Sequence, residues 1–169
     1  MNRNIEIKAR LSDLAAVRRH VEPLADEGPI VLDQEDTFFA SPRGRLKLRR
    51  FAGSTEAELI YYERPDVAGP TQSRYRVHRT RDVDSLLAVL SDGCGVTGVV
   101  RKRRTVYLIG QTRVHLDEVE GLGDFVELEV VLRPDEDEHA GLAIARKLMV
   151  ELGIRPEQLV EKAYIDLLT

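Results

Sequence analysis

Charged side chains occur at every second position along several stretches of this chain. Residues 4–11, 43–49 and 126–130 alternate polar side chains, nearly all of them charged, with apolar residues or glycine. This period of two is typical of a β-strand, in which successive side chains point to opposite faces. Each stretch therefore predicts a strand with one charged and one apolar face. Carboxylates on such a face are suited to bind hard divalent cations, and lysine and arginine are suited to bind phosphate.

On one assignment of strand faces, ten cations and four carboxylates lie on the same side. They are Lys8, Arg45, Lys47, Arg49, Arg64, Arg74, Arg76, Lys102, Arg104 and Arg113, with Glu6, Asp117, Glu127 and Glu129. Confining this excess of positive charge is costly unless a polyanion enters, and a triphosphate would balance it. The carboxylates, if gathered on one side, would bind Mg²⁺ or Mn²⁺.

Further elements are needed to bring these charged faces together. Four more strands are predicted, at about 57–64, 72–79, 99–108 and 111–118. Three helices are predicted, at about 12–21, 82–91 and 135–152, with Ser12, Asp82 and Asp135 as N-caps. A polar strand face most often faces water, but these amphipathic helices need apolar surface on which to pack. We therefore predict an α+β fold in which the sheet curls into a barrel with helices outside and charges inside.

Composition narrows the classes of function. A chain of 169 residues is expected to form one domain, here residues 1–169. A net charge of −4 argues against binding nucleic acid or anionic lipid over the whole surface, and the basic run 101–104 lacks interleaved aromatic residues. Cys94 is the only cysteine, and no apolar run is long enough to span a membrane. We expect a cytoplasmic protein that binds no membrane and no specific nucleic acid.

Several motifs together resemble those of the CYTH superfamily, which is named for class IV adenylyl cyclase and thiamine triphosphatase. The segment Asn4-Ile5-Glu6-Ile7-Lys8 resembles the Glu-x-Glu-x-Lys signature of these triphosphate tunnel metalloenzymes. Further similar segments follow in order at 34–39, 44–49, 62–66, 100–104, 115–117, 125–129 and 164–168. The chain looks like the bacterial branch that is similar to class IV adenylyl cyclase.

The resemblance implies a tunnel of about eight antiparallel strands that binds a triphosphate with one or two divalent cations, Mg²⁺ or Mn²⁺. It implies that Glu6, Asp117, Glu127 and Glu129 bind metal and that Lys8, Lys47, Arg49, Lys102 and Arg104 contact phosphates. Supporting contacts are expected from Arg45, Arg64, Arg74, Arg76 and Arg113. The predicted catalytic residues are Glu6, Lys8 and Glu127. The pair Lys102 and Arg104, rather than Arg101 and Arg103, is expected to face inward.

One position departs from the signature, since Asn4 stands where its first glutamate usually stands. An amide cannot offset metal charge, which weakens the case for a second metal; alternatively Asn4 lies at a strand end. We expect hydrolysis of inorganic tripolyphosphate, thiamine triphosphate or a nucleotide. The alternatives are cyclisation of ATP to cyclic AMP and pyrophosphate, and a non-catalytic module that binds polyphosphate. His115 is expected to face the tunnel with Asp117, and the protein is expected to be a monomer or a homodimer.

Overall fold

The computed structural model describes residues 1–169 as eight strands and four helices. The strands are β1 (Asn2–Leu11), β2 (Glu27–Phe39), β3 (Arg45–Phe51), β4 (Ala57–Glu63), β5 (Thr71–Thr80), β6 (Val96–Ile109), β7 (Thr112–Val119) and β8 (Gly123–Leu132). The helices are α1 (Leu14–Val21), α2 (Val83–Cys94), α3 (Glu138–Glu151) and α4 (Tyr164–Leu168). Short 3₁₀ turns occupy Glu22–Leu24 and Pro156–Gln158. None of the helices has the length and hydropathy needed to cross a membrane.

The strands form a closed barrel in the order β1-β5-β4-β3-β2-β6-β7-β8, with every neighbouring pair antiparallel. Strand β1 closes the ring because it pairs with β5 on one side and β8 on the other. The predicted antiparallel barrel is therefore confirmed. Strand β2 was not predicted, since its first half contains the consecutive apolar residues 30–32 and does not alternate.

The outer face of the barrel is apolar where helices cover it. Helices α1 and α3 pack on β1, β7 and β8, where Ile7 and Leu128 join Leu148 in one buried cluster. Gly141 allows α3 to approach closely, because a Cβ there would lie 2.6 Å from Ile5 Cγ1. Helix α2, which follows its predicted N-cap Asp82, packs over the outer face of β3 and β4. The charged faces of the strands are left to point inward.

Two of the predicted helix starts needed correction. Helix α1 follows Asp13, whose Oδ1 accepts a hydrogen bond from the Ala16 backbone nitrogen at 3.0 Å. Helix α3 follows Asp137. The predicted N-caps Ser12 and Asp135 lie just before these positions. An aspartate side chain caps well wherever it first reaches a free backbone N–H, and neighbouring polar residues make this position hard to choose from sequence.

The C-terminal segment packs into one end of the barrel. Ala163 and Tyr164 lie in a buried apolar cluster with Phe38, Val100 and Phe125 from the inner face of the strands. The ring centroids of Phe125 and Tyr164 are 4.9 Å apart in an edge-on arrangement. The interior of the barrel is therefore apolar at this end and charged beyond it.

Candidate active site

The barrel encloses a cavity of about 660 Å³, a size common for small-molecule sites. Its basic lining residues are Lys8, Lys47, Arg49, Arg64, Arg79, Lys102, Arg104 and Arg113. Its acidic lining residues are Glu6, Asp36, Glu58, Glu127 and Glu129, and Asp117 is fully buried beside Arg104. The cations still outnumber the carboxylates, but by a smaller margin than the sequence predicted.

Strand β5 has the opposite phase to the one predicted. Arg74 and Arg76 are exposed on the outside of the barrel, and Ser73 and Tyr75 line the cavity instead. The pairing of Ser73 with Asn4 on β1 fixes this phase. Polar side chains occupy both faces of β5, so alternation alone could not identify the inner one. The predicted inward orientation of Arg74 and Arg76 is therefore corrected.

All of the other predicted cations except Arg45 line the cavity. Lys102 and Arg104 are buried in the cavity, and Arg101 is exposed on the outside. Arg64 lines the cavity and donates a hydrogen bond to the Glu161 carbonyl oxygen at 2.9 Å. Arg45, in contrast, is not among the residues that line the cavity. Its Nη2 forms ion pairs of 2.9 Å with Asp66 Oδ1 and 2.7 Å with Asp166 Oδ2.

An acidic wall forms where β1, β8 and β7 lie side by side. Glu6 lies opposite Glu129, and His115 lies opposite Glu127. Burial and the negative charges of Glu129 and Glu127 raise the pKa of Glu6 to about 7. This repulsion among buried carboxylates is relieved when a cation joins them. The wall therefore has the electrostatic character of a metal site.

His115 lies within this wall. Its side chain is buried, and its Nδ1 has no hydrogen-bond partner. Nδ1 is 3.7 Å from Glu127 Oε2 and 3.9 Å from Glu129 Oε1, and the three donor groups lie within 4.8 Å of one another. Burial and the charge of Arg104 lower the pKa of His115. A buried imidazole nitrogen without a partner beside two carboxylates is a donor set that fits a divalent cation. Glu6 lies outside this set of three.

Asp117 has a different environment from the one predicted for a metal ligand. Arg104 donates from Nε to Asp117 Oδ1 at 2.7 Å and from Nη2 to Oδ2 at 2.6 Å. The Tyr164 hydroxyl donates to the same Oδ2 at 2.7 Å. Both carboxylate oxygens are thus engaged, and Asp117 is absent from the group of three donors. In this structure Asp117 orients Arg104, whose Nη2 also donates to Glu127 Oε2 at 2.9 Å.

A basic wall surrounds Asp36, a residue that the sequence did not single out. Lys47 Nζ lies 2.9 Å from Asp36 Oδ2, Arg49 Nε lies 2.7 Å from Oδ1, and Lys102 Nζ lies 3.6 Å from Oδ2. Although burial raises the pKa of Asp36, the charges of Arg49, Lys47 and Lys102 hold it well below its usual range. This one carboxylate gathers three phosphate-binding candidates. Alternation could not place Asp36, because β2 does not alternate regularly.

Tyr164 is a second residue that the sequence analysis missed as part of the site. Its ring centroid lies 3.9 Å from Lys8 Nζ and 5.1 Å from Lys102 Nζ. Burial and the charge of Arg104 lower the pKa of Lys102 to about 7. The aromatic ring stabilises ammonium groups held where water is scarce. No periodic pattern could identify Tyr164, since it enters the barrel from a short helix rather than from a strand.

Asn4 points into the cavity rather than lying at a strand end. Its carboxamide is satisfied when the oxygen accepts from Arg113 Nη2 at 3.3 Å and the nitrogen donates to the Arg3 carbonyl oxygen at 3.0 Å. Arg113 in turn donates from Nε to Glu129 Oε2 at 2.9 Å. The neutral amide therefore contacts a cation of the tunnel and adds no negative charge to the acidic wall.

The chain was compared with models of known protein families. The model of the CYTH domain matches residues 2–164. The chain belongs to the CYTH domain family. The resemblance noted in the sequence is thereby confirmed, and the closed barrel with outer helices is the fold that it implied.

Individual CYTH relatives are similar over most of the chain. The adenylate cyclase CyaB of Aeromonas hydrophila is 29% identical over 172 aligned positions, covering 95% of this chain and 85% of the relative. A solved structure of a Pyrococcus horikoshii OT3 protein superposes with a TM-score of 0.85 at 27% identity, covering 97% and 98% of the two chains. A Hippeastrum protein studied as an adenylyl cyclase and described as having a dominant triphosphatase activity has a TM-score of 0.64 at 16% identity, covering 96% and 91%. The last likeness concerns the fold alone.

Proposed function

We propose that this CYTH protein hydrolyses a small molecule bearing a triphosphate, in a reaction that depends on a divalent cation. The observation that carries the proposal is the division of the cavity into two walls. Buried cations gather around Asp36 on one side, and carboxylates with an unpartnered imidazole gather on the other. A triphosphate between them would contact cations directly and reach the carboxylates through a metal.

The basic wall supplies the phosphate contacts. Arg49 presents a planar guanidinium suited to paired hydrogen bonds with phosphate oxygens, and Lys47 adds a point charge. Asp36 holds both of them in place before substrate arrives. Because the side chains are already ordered by these ion pairs, little conformational entropy is lost when the polyanion replaces water. The cavity is in this sense organised for a polyanion.

The acidic wall supplies the charge arrangement for the reaction. A bound divalent cation neutralises phosphate oxygens and lowers the pKa of a water molecule. Lys8 Nζ lies 3.2 Å from Glu127 Oε1, and Arg104 contacts Glu127 Oε2, so two cations border this wall. We assign to Lys8 and Arg104 the stabilisation of negative charge that develops on the phosphoryl oxygens during transfer. Asp117 and Tyr164 hold Arg104 in the direction that this role needs.

Cyclisation of ATP is the second candidate function. The similarity to adenylate cyclase CyaB of Aeromonas hydrophila over 95% of the chain favours it. In that reaction the ribose 3′-oxygen attacks the α-phosphorus and pyrophosphate leaves. Hydrolysis is preferred because attack by water requires only the contacts to the triphosphate and the metal, whereas cyclisation also requires the adenosine to be held with its 3′-oxygen in line with the α-phosphorus.

One experiment separates these functions. The protein is incubated with tripolyphosphate, thiamine triphosphate or ATP in Mg²⁺ or Mn²⁺, while orthophosphate, pyrophosphate and cyclic AMP are measured separately. Hydrolysis releases orthophosphate only when metal is present, together with pyrophosphate from tripolyphosphate or the matching diphosphate from thiamine triphosphate or ATP. Cyclisation is recognised by cyclic AMP, which forms with pyrophosphate from ATP and from neither of the other substrates. Tight tripolyphosphate binding with no product would show a non-catalytic binding module and would overturn both enzymatic proposals.

Substitutions of the acidic wall extend this test. Glu127→Gln and Glu129→Gln each remove a charge from the wall and are expected to abolish metal-dependent turnover. Glu118→Gln is the matched control, because Glu118 lies on β7 next to the site but is exposed on the outside of the barrel. Turnover at the wild-type rate in all three variants would show that the acidic wall takes no part in the reaction.

A further inference from the structure

We propose that His115 is a metal ligand of this chain, so that one cation is held by an imidazole nitrogen together with the carboxylates of Glu127 and Glu129. The inference rests on the proposed function for the presence of a metal, and it adds a nitrogen donor where the resemblance implied carboxylates alone. It also predicts that the site prefers Mn²⁺ to Mg²⁺.

The geometry supports this set of three donors. The His115 Nδ1 to carboxylate distances of 3.7 and 3.9 Å, within an overall spread of 4.8 Å, describe a small open triangle. A cation at about 2.0–2.2 Å from each ligand requires donor separations of roughly 3–4.4 Å. Modest side-chain adjustments therefore bring all three donors into range. No strand needs to move.

His115 has no other partner for the nitrogen that faces the wall. The side chain is 4% exposed, and Nδ1 makes no hydrogen bond. A buried polar nitrogen without a partner is costly, and most such groups in folded proteins are satisfied. The orientation of the ring toward Glu127 and Glu129 is explained if a cation completes the contacts. A merely structural histidine would gain more from a carbonyl or a hydroxyl.

The two carboxylates retain free acceptor capacity. Arg113 engages Glu129 Oε2, which leaves Oε1 directed toward His115. Lys8 engages Glu127 Oε1 and Arg104 engages Oε2, but each carboxylate oxygen has about two lone-pair directions. Glu127 Oε2 can therefore accept from Arg104 on one side and bind a cation on the other.

The donor set suits a divalent cation that is bound together with a polyanion. Asp117 is committed to Arg104 and Tyr164, and Asn4 is neutral, so neither contributes a free carboxylate. Glu127 and Glu129 share their negative charge between the metal and the neighbouring Lys8, Arg104 and Arg113, and the phosphate oxygens of a bound polyanion would supply the remaining charge. Mg²⁺ prefers oxygen ligands, whereas an imidazole nitrogen raises the affinity for first-row transition metals; among these Mn²⁺ gains the least, but it is the one that carboxylates also suit. The imidazole thus gives this tunnel its preference among metals.

The test uses the full chain and detects the nitrogen directly. Mn²⁺ is added to the protein with and without tripolyphosphate, and pulsed electron paramagnetic resonance measures the modulation from ¹⁴N bound to the metal. We expect the signature of a coordinated imidazole, and we expect ¹⁵N-labelled histidine to replace it with the ¹⁵N pattern. His115→Gln is expected to remove the signal, while His78→Gln, an exposed histidine on the outer face of β5, is expected to retain it.

Metal affinities from calorimetry give a second measurement. His115→Gln is expected to weaken Mn²⁺ binding at least about tenfold, in the range seen when metal-site groups are lost, and Mg²⁺ binding by less than about threefold. His115→Phe, which keeps a ring and buries no polar atom, serves if the glutamine variant does not fold. The experiment with ¹⁵N-labelled histidine tests the ligand in the wild-type protein and so does not depend on any variant folding.

Clear outcomes overturn the inference. Mn²⁺ bound without a histidine nitrogen signal, a signal that persists in His115→Gln, or no Mn²⁺ binding with or without tripolyphosphate would each do so. Turnover is measured separately. A protein that binds Mn²⁺ through His115 but hydrolyses nothing would refute the proposed function and leave the ligand assignment standing.

Discussion

Arg104 and Asp117 form a buried, two-pronged ion pair across neighbouring strands. The residues lie directly opposite each other on β6 and β7, and their side chains are 5% and 0% exposed. Two parallel hydrogen bonds of 2.7 and 2.6 Å fix the plane of the guanidinium. Arg104 Nη2 also donates to Glu127 Oε2. The ion pair therefore connects the buried core of the tunnel to its acidic wall.

Asp117→Asn is expected to destabilise the protein and disorient Arg104. Removing one partner of a buried pair typically costs about 3–5 kcal/mol, and Glu127 still accepts from Arg104, so a loss of about 3 kcal/mol in the free energy of unfolding is expected. Urea denaturation measures this loss. Asp33→Asn is the matched control, because Asp33 pairs with Arg103 on the exposed outside of β2 and β6 at 2.8 Å and its removal should change little. Equal effects of the two variants would contradict the structural role of Asp117.

Tyr164→Phe removes one hydrogen bond to a buried charge and keeps the aromatic ring. A hydrogen bond to a charged group is worth about 1.5–3 kcal/mol, so the melting temperature should fall by several degrees. Tyr61→Phe removes a hydrogen bond of the same length to Glu63 at the surface and should leave the melting temperature nearly unchanged. The assignment fails if Tyr164→Phe melts at the wild-type temperature.

Arg64→Gln tests the inner face of the barrel against the outer one. Arg64 lines the cavity, and its loss removes a charge-assisted contact to phosphate, so tripolyphosphate affinity should fall about 10- to 100-fold. Arg74→Gln and Arg76→Gln change exposed side chains on the outer face of β5 and should alter affinity less than twofold. Calorimetry of tripolyphosphate binding measures all three. A loss in either control as large as that in Arg64→Gln would restore the strand phase that the sequence first suggested.

The lowered pKa of Lys102 predicts that the protein takes up a proton when the polyanion binds. Its pKa of about 7 leaves it mostly neutral at pH 8, and a bound polyanion raises that pKa. At pH 8 the wild-type protein should therefore bind as much as about 0.9 more proton per tripolyphosphate than Lys102→Arg, whose guanidinium stays charged. The same linkage makes wild-type affinity fall as pH rises above 7.

Calorimetry of metal-free tripolyphosphate binding in two buffers with different ionisation enthalpies measures the proton uptake. Comparing the two proteins cancels the protonation of tripolyphosphate itself. Equal uptake by wild type and Lys102→Arg would show that Lys102 is already charged in the free protein.

The sequence predicted the barrel well because its strands are amphipathic, with the charged face directed inward and the apolar face directed outward. Strand β8 alternates Glu127 and Glu129 with buried Val126 and Leu128, and helices cover that apolar side. The phase of β6 was expected from the family resemblance, because the spacing of Val100, Val106 and Asp117 matches the family when Lys102 and Arg104 face inward. Local patterning of this kind is set by burial, which acts on each strand separately.

Other parts of the site depend on contacts between distant elements. The phase of β5 depends on its pairing with β1, and both faces of β5 carry polar residues. The environment of Asp117 depends on Tyr164, which enters from the C-terminal segment. The clustering of three cations on Asp36 depends on two different neighbours of β2. No local pattern contains this information, because it arises only when the ring of strands closes.

The closure of the barrel between β1 and β8 also affects how the protein folds while it is being synthesised on the ribosome. Lys8 on β1 lies opposite Glu127 on the neighbouring strand β8, and its Nζ donates to the Lys162 carbonyl oxygen, 154 positions later in the chain. Contacts this distant in sequence make folding slow, since a long loop must close before they form. Strand β1 can pair with β5 once synthesis has passed Thr80, but its pairing with β8 requires synthesis to reach Leu132. The acidic wall is assembled among the last parts of the protein, so a truncated nascent chain carries the phosphate-binding cations before it carries a complete metal site.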